Sequence, residues 1–254
     1  MTIAAFFDVY NLKARQAPAT IAIAPVIFAA FGVFPELRDW QGMISGLLAT
    51  LAVPALLSIW SRRAGKRQEA RLYERWGGKP SMAMLRHRDE RISPDTKRAY
   101  HEKLRSLGRT VPTAAEELAD PAHADQMYEG CGDLLRRLGR DHRTHQFIFA
   151  QNIAFGFARN LSGLKPVGIA LAVLSALVEL GVGGWKVYAG QAPSAVLISS
   201  FVASVAILAV WLLWIDQGAV RDAAESYARA LLEICDDAPA KKPSTRKKAE
   251  NLVG

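Results

Sequence analysis

The sequence predicts an all-α membrane protein: four transmembrane helices arranged as two hairpins, with a helical cytosolic domain inserted between them. Three observations predict it. Four apolar windows, at about 19–34, 41–60, 166–185 and 194–215, are almost free of charge. Each is close to the roughly 20 apolar residues that cross about 30 Å of hydrocarbon. The polar stretches between and after them carry helix caps, glycine stops and apolar residues at helical spacing. No stretch shows the two-residue alternation of a half-buried strand. The hydrophobic content of 50% does not by itself decide the class; the segregation of charge does.

Residues 1–18 are mildly amphipathic. Ile3, Phe6, Phe7 and Tyr10 share a helical spacing, and Lys13 and Arg15 follow. Such a segment suits an interfacial helix or a lead-in to a span. The first window, ATIAIAPVIFAAFGVF, contains Pro25, which predicts a kink. A signal peptide does not fit, because no small-x-small cleavage site precedes the charged turn Glu36-Leu37-Arg38-Asp39. A turn of that length makes the first two windows an antiparallel hairpin. The second window holds Pro54 and ends on Trp60, an aromatic where the interface is expected. Gly42 and Gly46 form a GxxxG pair, which lets helix backbones approach closely.

Residues 61–165 form the inserted domain. Arg62, Arg63, Lys66 and Arg67 open it as a basic collar at the membrane surface. Gly65–Trp76 reads as a helix that extends the second span, broken by Gly77-Gly78-Lys79-Pro80. Ser81–Glu90 reads as a short helix. Ser93-Pro94 starts another that stops at Gly108. Thr113-Ala-Ala-Glu116 is a capping box, and Asp120-Pro121 is a further start. From Pro121 the chain reads as helical to Leu161, with Gly163 as a stop and Pro166 opening the third span. Phe147–Leu161 is too apolar for a solvated helix and is expected to pack on other helices or to lie among headgroups. The fourth span ends on Trp211, Trp214 and Ile215. A helix at 216–237 carries Val220, Ala224, Tyr227, Leu231 and Ile234 at heptad-like spacing. Residues 238–254 read as a disordered basic tail with Lys241, Lys242, Arg246, Lys247 and Lys248.

Charge sets the orientation. The formal net charge is +8. The inserted block holds 21 Lys and Arg and the segment after the last span seven, against one each in the two short turns, Arg38 and Lys186. Both termini and the block are therefore expected in the cytoplasm of a bacterial inner membrane. The expected partners are anionic lipids for the basic collar and tail, other copies of the chain, and a cytosolic protein or small molecule. Nucleic acid is not indicated.

Candidate chemistry is sparse. Arg140-Asp141-His142-Arg143-Thr144-His145 is the sharpest cluster, on what reads as a helix. An arginine and a histidine at this spacing resemble the R-x4–6-H motif of HEPN-domain ribonucleases. The resemblance covers six residues. It implies paired helical domains in which Arg140 holds a phosphate and His145 moves the proton of an RNA 2′-hydroxyl. The other reading is a basic turn at the headgroups. His142 and His145 share a helix face but lack further ligands, so neither metal nor cofactor is expected. His87, His101 and His123 read as solitary surface residues. Cys131 and Cys235 read as free thiols. Glu179 is the one ionisable residue inside a span; it is protonated, paired or lining a polar path, or else it sits near the outer interface, where Gly181, Gly183 and Gly184 follow. Ser175 lies one turn before it, and Ser199, Ser200 and Ser204 of the fourth span are types that hydrogen-bond across helices, too little for a transporter site. No phosphate-binding loop, dinucleotide fingerprint, nucleophile elbow or zinc-protease helix is present.

Two longer stretches, Arg71-Leu-Tyr-Glu-Arg-Trp76-Gly-Gly-Lys-Pro80 with Leu85-Arg-His-Arg-Asp89, and Phe155-Gly-Phe-Ala-Arg159-Asn160-Leu-Ser-Gly-Leu-Lys165-Pro166, resemble uncharacterised bacterial four-span membrane proteins. The resemblance implies the topology and no active site. The expected function is that of a non-enzymatic membrane protein: a cytosolic sensing or interaction domain coupled to a membrane bundle that perturbs the bilayer or forms an oligomeric pore. The alternatives are a membrane-tethered ribonuclease using Arg140 and His145, and a small transporter working through Glu179.

Overall fold

The computed structural model describes residues 8–236; the side chains of residues 40–41, 43–45, 47–51 and 54–56 lie outside that description. The described residues are helical, with no strand among them. The chain divides into two units. One comprises Met1–Pro80 and Arg140–Ala228, the other Ser81–Gly139 and Arg229–Gly254.

The first unit holds the apolar helices. A π-helical turn, Asn11–Gln16, runs straight into α1, Ala17–Val33. Pro18 explains the turn: it has no N–H, so the carbonyl of Ala14 has no α-helical partner. The ladder widens there, and the Ala17 N–H reaches back to Leu12. The apolar helix therefore starts at Asn11 and not at residue 19, a shift no periodicity marks. Pro25 sits inside α1, as the sequence suggests. After Val33 the turn is pinned by Arg38, which donates to the carbonyls of Phe31 (2.9 Å) and Gly32 (2.8 Å). A guanidinium on the last carbonyls satisfies the helix end. Asp39 then caps α2 through the Gly42 N–H at 2.7 Å.

Helix α2, Trp40–Arg75, is one element of 36 residues. It ends where Gly77 and Gly78 take φ of 69° and 129°, a backbone only glycine adopts freely. Further on, α6, Gln146–Tyr188, runs for 43 residues and passes through both Gly163 and Pro166 without a break. This corrects the expected stop and restart. Gly163 serves packing: a Cβ there would lie 2.6 Å from the Ala64 carbonyl carbon of α2. Pro166 costs one rung of the ladder at Ser162, which an apolar helix held by neighbours tolerates. Helix α7, Ala195–Leu213, is capped by Ser194. Helix α8, Gln217–Leu232, buries Val220 and Ala224 against Leu72 of α2 and Phe155 of α6.

Three helices are long and apolar enough to cross a membrane: Asn11–Val33, Gln146–Tyr188 and Ala195–Leu213. The second window of the sequence reading, 41–60, falls in α2, where most side chains are outside the description, and is not among the three. Between them lies a shared core of Ala22, Leu164, Trp211 and Ile215. Their other faces are apolar and exposed; Leu174, Leu177, Val178 and Leu180 of α6 and Ile198, Val202 and Leu212 of α7 are examples.

The second unit is smaller and polar. It contains α3, Pro94–Ser106; α4, Ala114–Ala119; and α5, Pro121–Leu138. The predicted caps hold: Ser93 accepts from Thr96, Thr113 and Glu116 close a reciprocal box, and Asp120 accepts from His123. The helix expected over Ser81–Glu90 is only one turn, Pro80–Ala83, followed by bends. Side chains claim the backbone that a helix needs. Glu117 takes the N–H of His87 and Arg88, and Lys97 takes the carbonyls of Arg86 and Asp89. The long helix expected from Pro121 to Leu161 is also interrupted, because Gly139–His145 forms a turn between α5 and α6. Asp141 holds that turn, accepting from the Arg143 N–H and the Thr144 hydroxyl. Met84, Leu85, Leu104, Tyr128, Leu135, Leu231 and Leu232 make the unit's core.

Candidate functional site

Between Lys165 and Lys186, α6 carries a single ionisable group, Glu179. Its neighbours in sequence, Val178 and Leu180, are exposed, yet Glu179 is 1% exposed. It lies on the inner stripe with Ala172 and Ser175, which are also buried and spaced to share one helix face. It therefore faces the inside of the helix bundle and not the exposed apolar face of α6. By helical rise it sits about 5 Å from the middle of the uncharged stretch between Lys165 and Lys186.

The surroundings follow from the packing register. A Cβ on Gly168 would collide with the Trp211 ring, and one on Gly183 would touch Leu197. Helices α6 and α7 are thus antiparallel, with Glu179 level with Ser200 and Ser175 level with Ser204. On the third side, Gly32 of α1 packs so closely on Ser200 that any side chain there would strike its hydroxyl. Ala29 of α1 is buried one turn away. The register thus puts a layer of small and hydroxylated residues at the level of Glu179.

That layer is not internally satisfied. Both carboxyl oxygens of Glu179 and the Ser204 hydroxyl are buried without a hydrogen-bond partner among the described residues, as is the Trp211 indole N–H further along α7, at the level of Gly168. Ser200 donates to the carbonyl of Leu197 at 3.0 Å. A buried polar group without a partner costs about 1–3 kcal/mol, and an unpaired charge more.

A second polar cluster of the same unit is satisfied. Arg159 is 5% exposed and pairs with Glu69 of α2. Asn160, fully buried, accepts from Arg159 and donates to the carbonyl of Ala14 at 2.6 Å. That carbonyl is the one Pro18 leaves open. Gly65 makes room, since a Cβ there would overlap the Asn160 amide. Lys165 donates to the Ile215 carbonyl at 2.6 Å and closes the end of α7. These groups fix the crossing of α2, α6 and the π-helical turn.

In the second unit the hub is Glu117. It is 4% exposed and accepts from the His87 N–H (2.7 Å), the Arg88 N–H and guanidinium (3.2 and 2.9 Å), and the Tyr128 hydroxyl (2.7 Å). Those donors hold its carboxyl below the usual range, although burial opposes them. Arg86 makes a two-pronged pair with Asp125 at 2.7 and 2.8 Å. His101 is buried and not at the surface as expected; its Nε2–H donates to the Leu85 carbonyl at 2.7 Å. Burial pushes it down to about 4, so the ring is neutral near pH 7. His87 sits edge-on to it at 4.8 Å. A cleft of about 550 Å³ lies beside them, with Asp89, Lys97, Arg98 and Arg105 in its wall. Cys131 and Cys235 are both free and buried.

The remaining residues singled out by the sequence are placed as follows. Arg140 and His145 stand on the exposed turn before α6, not on a helix, and the His142 ring lies 4.1 Å from that of Phe149. Gly42 packs on the Leu37 backbone and Gly46 on the Phe31 ring, so both bring α2 close to what precedes it. Arg62, Arg63, Lys66 and Arg67 are exposed on α2, and Lys66 pairs with Glu69 at 2.7 Å. Lys241, Lys242, Arg246, Lys247 and Lys248, like Ile3, Phe6 and Phe7, lie outside the described residues. Among the described residues no three His, Cys, Asp or Glu converge as metal ligands. No family model, no curated protein and no solved structure matches the chain.

Proposed function

We propose that the chain is a non-enzymatic, multi-pass protein of the bacterial inner membrane that carries a cytosolic helical interaction unit. The observation that supports it is the set of three helices long and apolar enough to cross a bilayer, with apolar faces exposed over their length. Surfaces of that kind need lipid or another chain against them. The window 41–60 supplies the fourth span, giving two hairpins with their short turns outside. The basic excess of residues 61–165 and of the C-terminal segment supports both termini and the second unit lying in the cytoplasm. In this reading the cleft beside His101 is where a small molecule or peptide is recognised, and the exposed faces of α6 and α7 meet lipid or further copies.

Site-directed labelling tests the threading. In a Cys131→Ser, Cys235→Ser background, single cysteines at Gln191 and Glu36 react with an impermeant maleimide added to whole cells. Cysteines at Leu118 and Arg140 react only after the membrane is opened. The opposite pattern, or recovery of the chain in the soluble fraction, rules the reading out.

A further inference from the structure

We propose that Glu179 is a proton-exchange site inside the membrane bundle, where its carboxyl group takes up a proton from water and gives it back. This rests on the membrane reading above. The carboxyl is 1% exposed and both its oxygens lack a hydrogen-bond partner among the described residues. Among the described residues, an ionised group in that position has no counter-charge. Helix α1 offers no titratable side chain between Arg15 and Glu36, α2 none between Asp39 and Arg62, and α7 none before Asp216; on α6 itself the nearest are Lys165 and Lys186. By helix register the nearest polar side chains are hydroxyls: Ser200 is level with it, and Ser175 and Ser204 lie one turn along. Hydroxyls accept a hydrogen bond from the acid and donate one to the carboxylate, so they serve both states.

The route for the proton lies along α7. Ser200, Ser204 and Trp211 fall on its buried face, and the last two keep a buried polar atom unpartnered. Unsatisfied buried polar atoms are where internal water binds; Ser204 lies one turn past Ser200, and Trp211 about two turns further on. They run from the level of Glu179 toward the end of α7, where Lys165 holds the Ile215 carbonyl. The step is a protonation only: carboxylate plus a proton from the water chain gives carboxylic acid, and release reverses it.

Carbodiimide labelling tests this on the full chain in liposomes. Dicyclohexylcarbodiimide adds across the O–H of a protonated carboxyl in apolar surroundings. The expected result is one adduct, mapped by mass spectrometry to Glu179 and absent in Glu179→Gln. Its rate falls at least about tenfold from about pH 5 to about pH 9 and is unchanged by excess sodium ion at fixed pH. Glu179→Asp, which keeps the acid, retains labelling. No adduct at Glu179, a rate independent of pH, or protection by sodium ion overturns the proposal. A water-soluble carbodiimide serves as the control for the membrane reading. If it labels Glu179 as fast as the apolar reagent, the bundle is not in lipid, and that reading has failed instead. Equal chromatographic behaviour of Glu179→Gln and the unaltered chain excludes misfolding as the cause of lost labelling.

Discussion

Replacing Glu117 by alanine is the sharpest test of how the second unit is held. The carboxylate collects four donors, and three belong to groups with little other recourse: the His87 and Arg88 amides and the Tyr128 hydroxyl. Tyr128 is fully buried, whereas Arg88 is 43% exposed on its side chain and can turn to water. The guanidinium contact therefore adds little, and the orphaned amides and hydroxyl dominate. Removing one side of such a buried, charged arrangement costs about 3–5 kcal/mol. The two cysteines of the chain, Cys131 and Cys235, are both buried in this unit and report on its opening alone. For the full chain in detergent, Glu117→Ala should raise the rate of thiol labelling roughly 10²- to 10⁴-fold. Tyr128→Phe, which deletes a single donor, should raise it only about tenfold. Labelling of Glu117→Ala within about threefold of the unaltered chain would refute the reasoning.

Two further expectations follow from the same packing. His101 sits near 4 when folded against an ordinary value of 6.5, with burial as the main cause. The unfolded chain binds more protons between those values, so stability is full above about pH 6.5 and falls as pH drops toward 4, by about 3 kcal/mol. Urea midpoints read by dithiodipyridine, a thiol reagent active in acid, should show this fall, and a slope unchanged in His101→Phe would disprove its origin. In the first unit, Gly163→Val should lower the melting midpoint followed by tryptophan fluorescence, an overpacking cost of about 1–3 kcal/mol against α2. Gly181→Ala, where a Cβ meets nothing within 4 Å, should leave it level or raise it.

Much of the helical framework was legible because caps act locally. Ser93, Thr113 with Glu116, and Asp120 each satisfy N–H groups within three residues, and all three are found as read. The α8 stripe was legible too: Val220, Ala224 and Leu231 are buried, as is Ile234 just past the helix end, and Tyr227 is half-buried. The errors arose where a distant partner decides. Gly163 and Pro166 look like a stop and a start, but Ala64 and Gly65 across the crossing turn them into a passage. The π-helical turn depends on Asn160, some 146 residues away, to satisfy Ala14. His101 looked solitary because the Leu85 carbonyl that anchors it lies in an irregular segment. Glu179 was visible from its charge alone; its lack of a partner was not, since that depends on which residues of α1 and α7 come level with it.

The unbroken run of α6 also has a mechanical consequence. From Gln146 to Pro166 it is a rigid arm of roughly 30 Å, and at its far end one rung of the hydrogen-bond ladder is missing. A proline step is where a helix bends most readily. A change in bend of about 10° at Pro166 carries Gln146 roughly 5 Å sideways, while Glu179, on the other arm, is displaced by less because it lies closer to the fulcrum. Small motions among the apolar helices are thereby enlarged at the Gln146 end. Arg159 with Glu69, and Asn160 with the Ala14 carbonyl, tie this arm to α2 and to the π-helical turn.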